Sequence, residues 1–440
     1  MAKIKPENVI ESMSKHMLVD VVPIIADLEK SFGNKLVDAV NGKSYLDCFS
    51  YIASNPIGHN HPGLKDSSFQ EKLLKASLVK PSNSDFYCVE LAEFVDAFAT
   101  IAKPDEFKYL FFIDGGALAV ENALKTAFDW KVRKNLAKGN KSELGSKIIH
   151  FKQAFHGRSG YTLSLTNTAD PRKIKFFPKF DWPRITNPKV HFPLEDSLEE
   201  VIKLEKQAES EIMQAIADNK DDIAAIIIEP IQGEGGDNHF RPEFHQLLRK
   251  IADENELLLI YDEVQSGLGL SGKMWAYQHY GIVPDIVCFG KKTQVCGIMV
   301  GERVDEVENN VFKEVSRINS TWGGGLSDMV RSQKNLEIIR DETLVENAAE
   351  VGKYLLEKLQ NLDAVKSGKL DNPRGKGLLC AIDAKDTEQR DKIFLNCFNS
   401  GLLILKCGIK TLRLRPSLTF SKQEVDKFAE ILEQLSLIHI

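Results

Sequence analysis

Two residues able to do covalent chemistry stand at the ends of strongly apolar runs. Asp262 closes Leu257-Leu-Leu-Ile-Tyr, and Lys291 follows Asp285-Ile-Val-Cys-Phe-Gly. Runs of this length and content, ended by polar residues, read as buried strands that deliver one acid and one amine to the same edge of a sheet. A lysine can hold pyridoxal phosphate as a Schiff base, and a carboxylate can keep the pyridine nitrogen protonated so that the ring accepts electrons. The plain alternative is a strand-end turn at Asp262 and a solvated basic pair at Lys291-Lys292.

Other polar residues fall at the ends of neighbouring apolar runs. After Tyr109-Leu-Phe-Phe-Ile113 comes Asp114-Gly115-Gly116-Ala117 and then a helical pattern, so backbone N–H groups there could approach a phosphate. After Lys147-Ile-Ile-His-Phe151, one loop carries Phe155, His156 and Arg158. The aromatic can stack on a flat ring, and the guanidinium can grip a carboxylate through two hydrogen bonds. After the run 224–229 comes Glu229-Pro-Ile-Gln-Gly-Glu234-Gly-Gly236. No His or second Asp beside it completes a ligand set, so no metal is expected. Arg413-Leu-Arg415-Pro is the expected counter-charge for one of these two glutamates, because a buried carboxylate needs such a partner.

The elements that must position these groups follow from periodicity. Strands are expected at 109–113, 147–151, 224–229, 257–261 and 285–289. Helices are expected at 117–135, with Val120, Leu124, Ala127 and Phe128 on one face, and at 241–254, with Phe244, Leu247, Leu248 and Ile251. Strand-helix alternation means an α/β architecture: a large domain with a mostly parallel sheet flanked by helices, and ligands at its carboxyl edge. Beyond Trp322 a smaller α+β unit is expected, with one long helix over 328–361, strands near 376–383 and 411–415, and a closing helix started by a Ser421/Glu424 capping box. That helix should turn Val425, Phe428, Ile431, Leu432 and Leu435 inward. The segments 134–146 and 171–193 read as surface excursions. The division is 1–75 as an N-terminal segment joining the small domain, 76–326 as the large domain and 327–440 as the small one.

Bulk composition sets outer limits. A chain of 440 residues, 43% hydrophobic and 27% charged, can bury a large core, and its net charge of −6 argues against a polyanionic partner. Seven cysteines, odd in number and never in Cys-x-x-Cys spacing, point to reduced thiols. The start, Met1-Ala-Lys-Ile-Lys-Pro-Glu-Asn, has no apolar stretch of signal-peptide type, and no run is long enough to span a bilayer, so a cytoplasmic location is expected.

Taken together, the motifs resemble the class III aminotransferases of the fold-type I pyridoxal phosphate superfamily, most closely its lysine-directed subfamily. The resemblance runs from His16-Met-Leu-Val-Asp20 to Arg413-Leu-Arg-Pro. Its most particular segments are Pro81-Ser-Asn-Ser-Asp85, Gly115-Gly-Ala-Leu-Ala-Val-Glu-Asn122, Pro178-Lys-Phe-Asp-Trp-Pro-Arg184, Phe289-Gly-Lys-Lys-Thr-Gln-Val-Cys-Gly297 and Asn319-Ser-Thr-Trp-Gly-Gly324. Gly-Gly-Ala in place of a Ser-Gly-Ser type loop, and Lys-Thr-Gln-Val-Cys-Gly in place of a Gly-rich stretch, depart from the commonest class III pattern and agree with that subfamily.

The resemblance implies pyridoxal 5'-phosphate as cofactor and Lys291, rather than Lys292, as the Schiff-base lysine and general base. It implies Asp262 at the pyridine nitrogen, Gln265 near the ring hydroxyl, Phe155 stacked on the ring, and Gly116 and Ala117 at the phosphate. His156 and Glu229 join the cofactor contacts. Thr321 would be donated to the phosphate site of a neighbouring subunit, making a homodimer with shared active sites. Arg158, Glu234, Asn319 and Arg413 would bind the substrates, L-lysine and 2-oxoglutarate. In the implied reaction Glu234 neutralises Arg413 while lysine is bound and swings away for 2-oxoglutarate. Alternatives are an ω-aminotransferase for ornithine or 4-aminobutyrate, a pyridoxal enzyme of another reaction type, and a scaffold without chemistry.

Overall fold

A computed structural model describes residues 4–19 and 22–438. Residues 1–3 of the Met1 stretch and Asp20 of the His16–Asp20 motif lie outside the described residues.

A seven-stranded sheet runs in the order Phe107–Ile113, Cys296–Gly301, Ile286–Phe289, Leu258–Asp262, Ile223–Ile228, Lys147–Phe151, Arg184–Ile185. Only Cys296–Gly301 opposes its neighbours; every other pairing within the run from Ile286 to Ile185 is parallel. The five expected strands are therefore present and point the same way, because two antiparallel steps through Cys296–Gly301 restore the direction of Phe107–Ile113. The Cys296–Gly301 strand itself was not among the expectations.

Alternate residues of these strands enter two different apolar clusters. Ala225, Ile227, Leu258, Ile260, Ile286 and Cys288 face the helix Gly116–Ala137, while Ile226, Ile228, Leu259, Tyr261, Val287 and Phe289 face the core that continues into the C-terminal part. Burial on both faces explains why the sequence shows continuous apolar runs rather than alternation. It also favours the strand ends for the charged groups of the buried strands.

Two smaller sheets complete the chain. One is antiparallel, in the order Leu370–Lys376, Leu379–Ala384, Thr411–Leu414, Leu405–Cys407; the other sets Leu402–Leu403 parallel to Ser44–Asp47, which pairs with Lys35–Val37. An N-terminal strand thus shares a sheet with a C-terminal one. The closing helix, Lys422–Ile438, has its capping box: Ser421 N donates to Glu424 Oε2 at 2.9 Å and Glu424 N to Ser421 Oγ at 3.3 Å. Val425, Phe428 and Leu432 are buried, with Ile431 and Leu435 packed against the core.

Two expectations need correction. The single helix over 328–361 is two helices, Leu326–Asp341 and Leu344–Asn361, with Thr343 between them at φ 50°. A β-branched residue in the left-handed region is costly, and no Gly or Pro marks the break. The break lets the first helix pack on Ser67–Leu78 and Val89–Ile101 while the second packs on Lys422–Ile438. The excursion 171–193 is exposed in part only, since Arg184–Ile185 forms the sheet's edge strand and Trp182 is buried, stacked on Phe180 at 5.1 Å.

Candidate active site

The carboxyl ends of the five expected strands place their loops at one edge, and Cys296 begins at that edge opposite Ile113. Asp262 is buried at the end of its strand. Its Oδ2 lies 2.8 Å from His156 Nδ1, and its Oδ1 accepts Val264 N at 3.1 Å. His156 is thereby fixed by Asp262 on one side, while its backbone N donates to Thr166 Oγ1 at 3.1 Å. Its Nε2 is buried without a partner.

Lys291 follows Gly290 and takes φ 51°, a left-handed conformation that a side-chain-bearing residue adopts at a cost and that is frequent at functional sites. A Cβ on Gly290 would meet Cys296 Sγ at 2.9 Å, so the residue before the lysine has to be small. Burial holds the Lys291 amine below its ordinary pKa; the nearby charges of Asp262 and Glu229 pull it up, and that of Arg413 pushes it down. An amine that gives up its proton more easily than an exposed lysine is what imine chemistry needs.

Lys292 is a different kind of lysine. It is fully enclosed, donates to the carbonyls of Asn55 at 3.3 Å and Pro416 at 3.2 Å, and is lowered to about 7, by burial first and Arg415 second. The solvated basic pair considered from the sequence is therefore excluded: one lysine faces the acids of the site, and its neighbour ties the N-terminal segment to the C-terminal one.

The helix Gly116–Ala137 begins at Gly115, whose φ of 103° suits glycine, and no side chain caps its first N–H groups. The loop with Phe155 and His156 lies against this start, since a Cβ on Gly157 would meet Ala117 Cβ at 2.6 Å. Glu229 is buried and accepts Phe155 N at 2.8 Å and Gly233 N at 2.9 Å; burial, with Asp262 adding, raises it to about 7. It therefore ties the Phe155 loop to the Gly233 loop. A desolvated amine, a fixed buried carboxylate, an aromatic and an uncapped helix start together fit a flat, phosphorylated pyridine.

On the other side of the site the pairings differ from those expected. Neither glutamate meets an arginine. Glu234 Oε1 accepts from Thr168 Oγ1 at 2.6 Å and Lys173 Nζ at 2.7 Å, and Glu234 Oε2 is buried with no partner. Arg413 Nη1 instead donates to Gln265 Oε1 at 2.8 Å and stands 3.9 Å from Asp237 Oδ1. Arg415, fully buried, grips both oxygens of Asp237 and also reaches Gln265 Oε1 at 3.0 Å. The cause is the closed turn Gln232–Asn238, whose two backbone bonds of 3.0 Å send Asp237 inward and leave Glu234 on the side of Thr168. Gln265 is thus held by both arginines.

Asp237, Thr168 and Lys173 were missed by the sequence reading. Asp237 had a signal, being the first carboxylate after Gly235-Gly236, but its partner lies far away in sequence. Arg158 is exposed and has no partner among the described residues. Asn319 and Thr321 are also exposed, on a loop anchored through Asn83 Nδ2 to Gly324 O at 3.0 Å and Gly325 N to Asp114 Oδ1 at 3.0 Å, and neither bonds to another site residue.

The chain is 50% identical over 422 residues to an L-lysine-epsilon aminotransferase of Mycobacterium tuberculosis, covering 96% of this chain and 93% of that one. It is 34% identical to a probable mitochondrial 4-aminobutyrate aminotransferase of Caenorhabditis elegans, covering 96% and 90%. A lysine aminotransferase from M. tuberculosis, solved in the internal aldimine form, superposes with a TM-score of 0.96 at 48% identity over 98% of this chain and 99% of that one. The sequence pattern described as aminotransferase class-III matches residues 17–435, and with the site on one edge of this sheet the chain belongs to that family.

Proposed function

We propose that this chain transfers the ε-amino group of L-lysine to 2-oxoglutarate, as an L-lysine 6-aminotransferase. The products are 2-aminoadipate 6-semialdehyde, which cyclises to piperideine-6-carboxylate, and L-glutamate. The observation that carries the reading is the gap in relatedness: L-lysine-epsilon aminotransferases share 46–50% of their residues with the chain over nearly its whole length, and 4-aminobutyrate aminotransferases 32–34%.

Pyridoxal 5'-phosphate, the cofactor of this family, supplies when bound an electron-accepting ring and a carbonyl carbon that can hold an amine. Lys291 would hold that carbon and, once released, carry a proton between substrate and cofactor. Asp262, oriented by His156, would keep the ring nitrogen protonated. Gly116, Ala117 and the helix start would hold the phosphate, Phe155 the ring face, and Gln265 the ring hydroxyl side. Arg158 would take the carboxylate farthest from the reacting carbon, with Asn319 beside the substrate, and Arg413 the α-carboxylate of 2-oxoglutarate.

A homodimer is part of this reading, with Thr321 completing the partner's phosphate site. Phe86, Tyr87, Val89, Val315 and Trp322 are exposed near the loop that carries Thr321, an apolar area of the kind that a subunit covers. The division into 1–75, 76–326 and 327–440 and a cytoplasmic location also belong to this reading; no helix among the described residues is long and apolar enough to cross a membrane. Incubation of the purified protein with cofactor, lysine and 2-oxoglutarate, followed by trapping with 2-aminobenzaldehyde, tests the activity. A coloured adduct is expected, and its absence alongside turnover of ornithine or 4-aminobutyrate would overturn the lysine assignment. Sedimentation of a monomer that still retains cofactor would overturn the dimer.

A further inference from the structure

We propose that Thr168 and Lys173 form an outer seat for Glu234, and that Lys173 thereby sets the balance between the two substrates. This rests on the reading of the chain as a lysine and 2-oxoglutarate aminotransferase. The contact is direct: both donors reach the same oxygen, Glu234 Oε1, at 2.6 Å and 2.7 Å. Thr168 is aimed by its own turn. Its hydroxyl oxygen accepts Asp170 N at 3.2 Å, which leaves the hydroxyl proton for the carboxylate. Lys173 Nζ lies 6.0 Å from the centre of the Phe155 ring, which places this seat beside the aromatic assigned to the cofactor.

The charges on the far side explain why Glu234 needs two seats. Arg413 and Arg415 share one carboxylate, Asp237, so that buried cluster carries one positive charge in excess. With Glu234 on Lys173 the excess is free to meet a substrate carboxylate. With Glu234 turned to Arg413 the excess is cancelled, as an uncharged stretch of substrate requires. Each seat leaves something unsatisfied, and the structure shows which atoms: in the outer seat Glu234 Oε2 and Arg413 Nε are both buried without partners. In the inner seat Lys173 would lose its carboxylate, but its side chain is one-third exposed and water can take over. The lysine at the outer seat biases the choice between the two arrangements.

The test uses the holoenzyme, three single variants and one double variant. Lys173→Met keeps the length and drops the charge, Lys173→Arg keeps the charge, and Glu234→Ala removes the moving group. Lys173→Met should raise KM for 2-oxoglutarate about tenfold, the scale of about 1.4 kcal/mol, and shift the ratio of half-reaction specificities toward lysine by the same factor. Lys173→Arg should restore most of it. Glutarate, a dicarboxylate with no keto group, should bind about tenfold more weakly to Lys173→Met by calorimetry, on the same energy scale. In the Glu234→Ala background the Lys173→Met effect should vanish. An equal loss in both half-reactions, or an effect that persists without Glu234, would overturn the seat. The 2-oxoglutarate half-reaction, read on enzyme loaded with pyridoxamine 5'-phosphate, needs no lysine. An inert lysine half-reaction thus overturns the substrate reading while the 2-oxoglutarate KM still decides the seat.

Discussion

The two halves of the site are built on different principles. Around Lys291 every group comes from a strand end of one sheet: Asp262, Glu229, the Phe155 loop and the uncapped helix start are held by neighbours on both sides. Around Arg413 the groups come from distant stretches of chain; Glu234 Oε2 and Arg413 Nε are buried there without partners, against the single orphan His156 Nε2 beside Asp262. The first half is set before any substrate arrives, as proton transfer requires. The second is unfinished, which suits a pocket that must accept substrates of different charge.

Replacing Lys291 by Ala tests the fixed half and should have the largest effect. Loss of proton transfer alone lowers turnover by on the order of 10²–10⁴-fold, and borohydride should no longer fix the cofactor to the protein. Fixation that survives in the Lys291→Ala protein would dissolve the contrast, since the reactive amine would then lie elsewhere. Replacing Asp237 by Asn tests the other half. It keeps the shape and removes the carboxylate charge that fully buried Arg415 grips, so a stability loss of about 3–5 kcal/mol is expected from urea unfolding. A variant as stable as the parent would show that Gln265 alone can hold both arginines.

The last effect appears only with pH and concerns Lys292, which joins the two halves of the chain. Its folded pKa of about 7 lies below its ordinary 10.5, so between those values the unfolded chain holds the proton and the folded one does not. Stability relative to Lys292→Met should therefore rise with pH across that window, by at most about 5 kcal/mol, and be flat below it. Paired melts at several pH values read this directly. A difference independent of pH would mean that Lys292 stays charged inside the protein.

The same contrast separates what could be read in the chain from what could not. Strands, the Gly115-Gly116 helix start, Asp262, Lys291 and the Ser421 capping box are local: short stretches of residue types announce them. The break at Thr343 was invisible because apolar periodicity runs through it and no Gly or Pro interrupts it. The Cys296–Gly301 strand was hidden as a short mixed run right after the lysine motif.

By itself the sequence determined the apolar runs that must be buried on both faces, and hence an edge where acid and amine meet, because a continuous apolar strand leaves polar groups no other place. Which of several carboxylates each arginine meets was decided only in three dimensions. Glu229, Glu234 and Asp237 lie within nine residues of one another, and the composition of that loop fits any of them. The closed turn Gln232–Asn238 selects Asp237 for Arg415, since a buried guanidinium takes the carboxylate that geometry brings within reach of both its terminal nitrogens.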